Sequence, residues 1–174
     1  KSFNSFKKNN RKDLASGLLI TRNTKKHLLM FYSAYVGDDF RSDLGYYRRY
    51  GMYKFEPNYR FRIYPSNPKI QEIELSHYAA WVFRPNLRNN YEGNIHYSSI
   101  QIRYLNTSRI RFMRRQTKTY LYNSFDPTRS DSGIALPNNQ FYDYVDYSFL
   151  FKSSTRNIFS TDTEISYGSF FNGD

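Results

Sequence analysis

Strict alternation of apolar and polar side chains constrains this chain more than any other feature. Residues 53–65 read YKFEPNYRFRIYP. Tyr53, Phe55, Pro57, Tyr59, Phe61 and Ile63 fall on one parity; Lys54, Glu56, Asn58, Arg60 and Arg62 fall on the other. Successive side chains of a β-strand point to opposite faces, so a period of two makes this stretch a strand with one greasy and one charged face. The pattern leaves two arrangements open. Either the greasy face meets a core and the charged face meets water, or the first meets lipid and the second a wet lumen.

The same period recurs along the chain. Leu14, Ser16, Leu18 and Ile20 share a parity, as do Leu28, Met30, Tyr32 and Ala34. Ile73, Leu75, His77, Ala79, Trp81 and Phe83 oppose Glu72, Glu74, Ser76 and Tyr78. Phe141, Val145, Tyr147, Phe149 and Phe151 oppose Tyr142, Tyr144, Asp146 and Ser148, and a last segment carries Phe159, Thr161, Thr163, Ile165 and Tyr167 on one parity. Segments 93–105 and 109–122 alternate but each slips parity once, near Ser98–Ser99 and near Arg114. A β-bulge produces such a slip, and bulges are expected there. No helical period is present. The count is roughly eight strands, several of them near the ~9–11 residues that cross a bilayer at a tilt.

Composition narrows the class. Aromatic residues are 20% of the chain, with 18 Tyr and 15 Phe, which favours strands and also marks membrane-interface belts. There is no Cys, so disulfides and thiolate chemistry are excluded. Mean hydropathy is −0.79, and the longest apolar runs are LLI at 18–20 and LLMFY at 28–32. A spanning helix needs ~20 apolar residues, so transmembrane helices are excluded. A transmembrane barrel is compatible, because it hides half of its residues from lipid.

The connections alternate in length. Segments 22–26, 65–69, 106–108 and 153–157 are short, whereas 36–51, 84–93 and 123–140 are longer. Outer-membrane barrels have this asymmetry, with short periplasmic turns and longer outer loops. On that assignment the first strand runs inward and the last runs outward. Barrels of this kind begin and end in the periplasm, so further strands are expected on both sides. Open edges are not tolerated in hydrocarbon; those strands, another outer-membrane protein or the β-barrel assembly machinery would cover them.

Three stretches carry a resemblance. VGDDFRSDLGYYRR (36–49) resembles the motif G-[ED]-D-F-x-x-x-x-G-[FY]-x-x-R of a family of Bacteroidota outer-membrane proteins of unknown function. FDPTRSDSGIALPNNQFYDYVDYSF (125–149) resembles that family's later Phe-Asp and Ile-Pro-x-Gly-x-Tyr stretch, with Asn139 where Gly is usual. GSFFNGD (168–174) resembles its Gly-x-Phe-[YF]-x-Gly turn. The resemblance runs from about residue 14 to 174 and implies the later part of a C-terminal β-barrel. In that family the barrel usually follows an N-terminal domain similar to carbohydrate-binding module family 9. It implies no catalytic residues.

The residues themselves offer little chemistry. His27, His77 and His96 lack metal-ligand spacing. Asp38, Asp39 and Asp43 read as turn capping, since the EF-hand spacing is absent. Glu72 and Glu74 share a strand face about 7 Å apart; this suits a retaining glycosidase pair, but charged lining of a lumen explains it as well. No nucleophile elbow and no Gly-rich phosphate loop are present. No enzyme, cofactor or metal site is expected.

Charge is the most informative polar property. The chain carries +11, with a sequence pI near 9.7, which suits a polyanionic neighbour such as nucleic acid, anionic lipid or lipopolysaccharide. RIRFMRRQTK (109–118) is the best local candidate for nucleic acid. The RNP1 glycines are missing, however, and the greasy parity far exceeds the two or three aromatics of an RNA platform. Nucleic acid is not the expected partner.

The expectation is therefore an all-β fold, an antiparallel transmembrane β-barrel of a Gram-negative outer membrane, present as a fragment of roughly eight strands. Lys54, Glu56, Arg60, Arg62, Glu72, Glu74, Arg103, Arg111 and Asp146 would line the lumen. Tyr53, Phe55, Tyr59, Phe61, Ile63, Leu75, Trp81 and Phe83 would face lipid, with Tyr147, Phe149 and Phe151. The partners are outer-membrane lipid and lipopolysaccharide. The expected function is a channel or surface-uptake component linked to carbohydrate. The alternatives are a non-conducting structural or partner-binding barrel, including one held by assembly machinery, and a soluble basic β-module that binds polyanions or nucleic acid.

Overall fold

The computed structural model describes residues 14–40, 50–85, 91–127 and 133–171. They form eight strands: β1 (Ala15–Asn23), β2 (His27–Val36), β3 (Met52–Ile63), β4 (Ile70–Phe83), β5 (Tyr91–Tyr104), β6 (Arg109–Leu121), β7 (Gln140–Lys152) and β8 (Asp162–Gly168). All eight lie in one antiparallel sheet in chain order, and no helix is present among the described residues. The sheet does not close: β1 and β8 are its two edges. Each strand packs on its sequence neighbours. The strands that follow β1, β3, β5 and β7 are entered from one end of the sheet and those that follow β2, β4 and β6 from the other; the expected alternation of short and longer connections fails at one pair, because 153–161 has nine residues and 84–90 seven.

The register decides which side chains share a face. Tyr53 lies opposite Phe83, Phe55 opposite Trp81 and Phe61 opposite Leu75. The same face continues through Ile100 and Ile102 of β5, Ile110 and Phe112 of β6, Phe149 and Phe151 of β7, and Ile165 of β8. The other face carries Arg62 opposite Glu74, Glu74 opposite Gln101, and Gln101 opposite Arg111.

Three expectations about the strands are corrected here. The pairing of β5 with β6 runs from Gly93↔Thr119 to Arg103↔Arg109 without a shift, so there is no bulge at Ser98–Ser99 or at Arg114. The slips are changes of composition on an unbroken period. Ile95 and Tyr97 turn to the charged face, while Asn94, His96, Ser98, Arg114, Gln116 and Lys118 stand on the apolar one. In β2, Leu28 pairs with Arg60 and Ala34 with Lys54. The parity Leu28, Met30, Tyr32, Ala34 thus belongs to the charged face, and Leu29, Phe31 and Tyr35 to the apolar one. Both parities of β2 are apolar, so only pairing with β3 assigns them. The last strand begins at Asp162, which leaves Phe159 89% exposed in the turn before it. Asp43, and with it most of the 36–49 motif, lies outside the described residues.

The real irregularities are between Ile70 and Glu72 and between Val82 and Phe83. At the second, Val82 pairs with Gly93 and Phe83 with Tyr91, so Glu92 is the extra residue of a bulge. Gly93 adopts φ 154°, and a Cβ there would stand 2.2 Å from the Lys118 carbonyl oxygen. Only glycine allows β6 to come this close. Gly93→Val is expected to destabilise the sheet by roughly 1–3 kcal/mol. Urea unfolding followed through Trp81 fluorescence measures this; an unchanged midpoint would count against the close approach.

Candidate functional site

The charged face is layered along the strands. Near the short turns, Arg62 Nε lies 3.3 Å from Glu74 Oε2, and Arg103 Nη1 lies 2.8 Å from Glu72 Oε1. Lys152 Nζ stands 2.8 Å from Asp162 Oδ2 at the edge strand. In the middle, Arg115 Nε donates to Asp146 Oδ2 at 2.6 Å, Lys54 Nζ approaches Glu56 Oε1 at 2.7 Å, and the Tyr78 hydroxyl also donates to Glu56. The Tyr78 and Tyr97 rings meet across β4 and β5 at 5.7 Å. Toward the long loops the face turns apolar. Val36, Met52, Ala80 and Tyr142 are buried there, and Phe171 packs on Tyr142 and Tyr144.

Cations outnumber carboxylates near the short turns. A cleft of about 420 Å³ is bounded by Arg60, Arg62, Arg103, Arg109 and Arg111 with Glu72 and Glu74. Glu72 and Glu74 are committed to Arg103 and Arg62. Arg60, Arg109 and Arg111 have no carboxylate within salt-bridge distance among the described residues.

The apolar face stands open. Among large apolar side chains exposed within the strands, all but Leu19 lie on it; Phe112 is 56% and Tyr147 54% exposed. Buried strand residues concentrate on the opposite face and include Glu72, Gln101, Ser148 and Leu150. Aromatic side chains mark the long-loop end of the apolar face: the Tyr35 and Tyr53 rings meet at a tilt with centroids 4.7 Å apart, Phe83 and Tyr91 likewise at 5.5 Å, and Tyr120 meets Phe141 edge-on at 5.1 Å. Below them, on β5 and β6, lies the polar interruption described above. There His77 and His96 rings sit 5.6 Å apart, and His77 Nδ1 is 2.9 Å from Ser98 Oγ. Among the described residues no three potential ligands gather to hold a metal.

All nine residues assigned by sequence to a lumen share the charged face, and all eleven assigned to lipid share the apolar face. Sequence reasoning missed Arg109, Arg115 and Lys152. The first two have the parity of Arg111 within RIRFMRRQTK; for Arg115 that signal was obscured by the bulge placed at Arg114. No family model matches the chain, and neither a curated protein nor a solved structure matches it.

If cations are in surplus on this face, removing a carboxylate costs stability through repulsion. Glu72→Gln is expected to destabilise by on the order of 1 kcal/mol, more at low than at high salt. Urea midpoints at two salt concentrations test this; an equal shift at both would remove the electrostatic explanation.

Proposed function

We propose that this chain is part of an outer-membrane β-barrel whose charged face lines an aqueous lumen and whose apolar face meets lipid. One observation carries the reading: a single-layer sheet leaves its large apolar side chains open on one face, while its buried strand residues concentrate on the charged face. A soluble barrel has the reverse arrangement, with the greasy parity enclosed. Exposed apolar patches beyond a few hundred Å² mark membrane or protein contact. β3 to β7 contain 12 to 14 residues each, enough to cross a bilayer at a tilt. The aromatic row at the long-loop end fits a membrane–water boundary. The resemblance of the loop motifs to Bacteroidota outer-membrane proteins agrees with this location, and through the domain preceding their barrels it suggests carbohydrate as the cargo. Under this reading the free edges of β1 and β8 are covered by further strands or by a protein partner. The function is passage or uptake of solutes, with an anion preference set by the arginines.

The polar interruption favours a second reading, a barrel that docks a partner. An Arg facing lipid near the midplane costs ~2–4 kcal/mol, and Arg114, Gln116 and Lys118 are successive residues on that face. A protein surface over β5 and β6 removes that cost.

The full-length protein from isolated outer membranes is expected to migrate differently in unboiled and boiled gel samples. Recovery in the soluble fraction without a shift would overturn the barrel. In planar bilayers, Arg60→Glu with Arg62→Glu is expected to shift ion preference toward cations. Unchanged selectivity would remove these residues from the conducting path, and silence over many insertions would favour the docking barrel.

A further inference from the structure

We infer that the arginine cleft near the short turns is a discrete binding site for a multivalent oxyanion, a solute bearing phosphoryl or carboxylate groups. The inference deepens the channel reading and rests on it in one respect: in a membrane, a solute reaches this cleft where the face lines an open lumen.

The register gives the physical reason. Arg109 stands between Arg103 on β5 and Lys152 on β7, three cations directly opposite one another across three strands. Like charges so placed destabilise a sheet. Arg103 and Lys152 are drawn outward to ion pairs with Glu72 and Asp162; Arg109 makes no ion pair of its own and is reached by Asp162 only at longer range. Arg111 lies two residues further along the same face, about 7 Å away by strand rise. Its cross-strand neighbours are Gln101 and Leu150, which offer no negative charge.

The Nε atoms of both Arg109 and Arg111 are buried and have no hydrogen-bond acceptor. Buried donors are satisfied in the great majority of cases, so neither guanidinium has an internal acceptor that compensates its Nε; a solute would meet these groups through the parts of the side chains that line the cleft. The guanidinium edge matches phosphate and carboxylate oxygens two at a time. The cleft, at about 420 Å³, exceeds the space a single water needs and falls in the range of small-molecule sites. Ser76 and Ser99, whose hydroxyls lie 2.8 Å apart at its margin, add neutral hydrogen-bonding groups.

Isothermal titration calorimetry of the full-length protein in detergent tests the site, with inorganic pyrophosphate and citrate as separate probes. Binding of either is expected, and the stronger probe tells phosphoryl from carboxylate chemistry. Arg109→Gln with Arg111→Gln is expected to weaken binding at least ~10-fold. The charge-matched pair Lys25→Gln with Arg156→Gln, on exposed turns, is expected to leave it within ~2-fold. Arg109→Lys with Arg111→Lys keeps the charge, guards against misfolding of the Gln pair, and is also expected to bind more weakly, because an ammonium lacks the two-pronged contact. Heat-modifiable migration of each variant reports the barrel independently. No binding by protein that shows the gel shift overturns the site and leaves the barrel. Equal affinity in wild type and both arginine variants overturns it as well. Arginine-dependent binding by protein without a shift upholds the site and removes the barrel.

Discussion

Backbone register across seven ladders is the constraint on which everything else depends. Side chains alternate with a period of two, so a slip of one residue would carry a strand's whole apolar set to the charged side. From β2 to β8 the pairings hold one apolar face together, and the two departures, both in the β4–β5 ladder, are absorbed locally at its ends, between Ile70 and Glu72 and at Glu92 and Gly93. Among the described residues no second layer covers the sheet, so cohesion comes from the ladders and cross-strand pairs. Phe112–Phe149, Tyr35–Tyr53 and His27–Phe61 are such pairs, with centroids 4.7 to 5.0 Å apart. Pairs of this kind contribute roughly 0.2–1 kcal/mol each, which cannot offset exposing an entire apolar face to water. Under the membrane reading proposed above, lipid over that face removes the cost.

The two faces are graded along the strands as well as opposed across the sheet. On the charged side, arginine dominates near the short turns, Tyr78, Tyr97, Arg115 and Asp146 occupy the middle, and small or apolar residues such as Ala80 and Val36 lie toward the long loops. On the other side, Ile100, Ile102, Ile110 and Phe112 give way to His96, Ser98, Arg114 and Gln116, with aromatic rings beyond them. The polarity of one face thus falls in the direction in which that of the other rises, at least within β5 and β6. A sheet in a uniform solvent on each side has no reason for such a gradient. A sheet whose two ends meet different surroundings does.

Legibility in the sequence follows from this grading. β3 was readable in full because its parities differ sharply: Tyr, Phe and Ile against Lys, Glu and Arg. β2 was not, because Leu28 and Leu29, Met30 and Phe31 are apolar on both parities, and its faces are fixed by Arg60 and Pro57 across the ladder. β5 and β6 misled in the opposite way. Their apolar residues change parity while the backbone does not, so a change of surroundings imitated a bulge. The true bulge carries a local mark, Glu-Gly at 92–93, but a glycine in a strand does not state which partner approaches it. The residues that define the arginine cleft come from different strands, with Arg103 six residues before Arg109 and Lys152 43 residues after it, and no single-strand period could have joined the three.

The edge strands press the same physics one step further. In β1, Leu18, Leu19 and Ile20 are 55 to 57% exposed, and they lie on both faces. Leu18 and Ile20 share the apolar face and would be satisfied by lipid; Leu19 stands on the charged one and would not. Its backbone groups along the free edge also lack partners in any medium without water. A strand of this composition at an open edge is a template for another strand in water and an untenable border in hydrocarbon. Under either solvent, β1 gains most from a neighbour on its free side, one that pairs with its backbone and covers Leu19 from within. The opposite edge is less demanding, since β8 presents Asp162, Glu164 and Ser166 to the charged side. The pressure to extend the sheet is therefore unequal, strongest at β1.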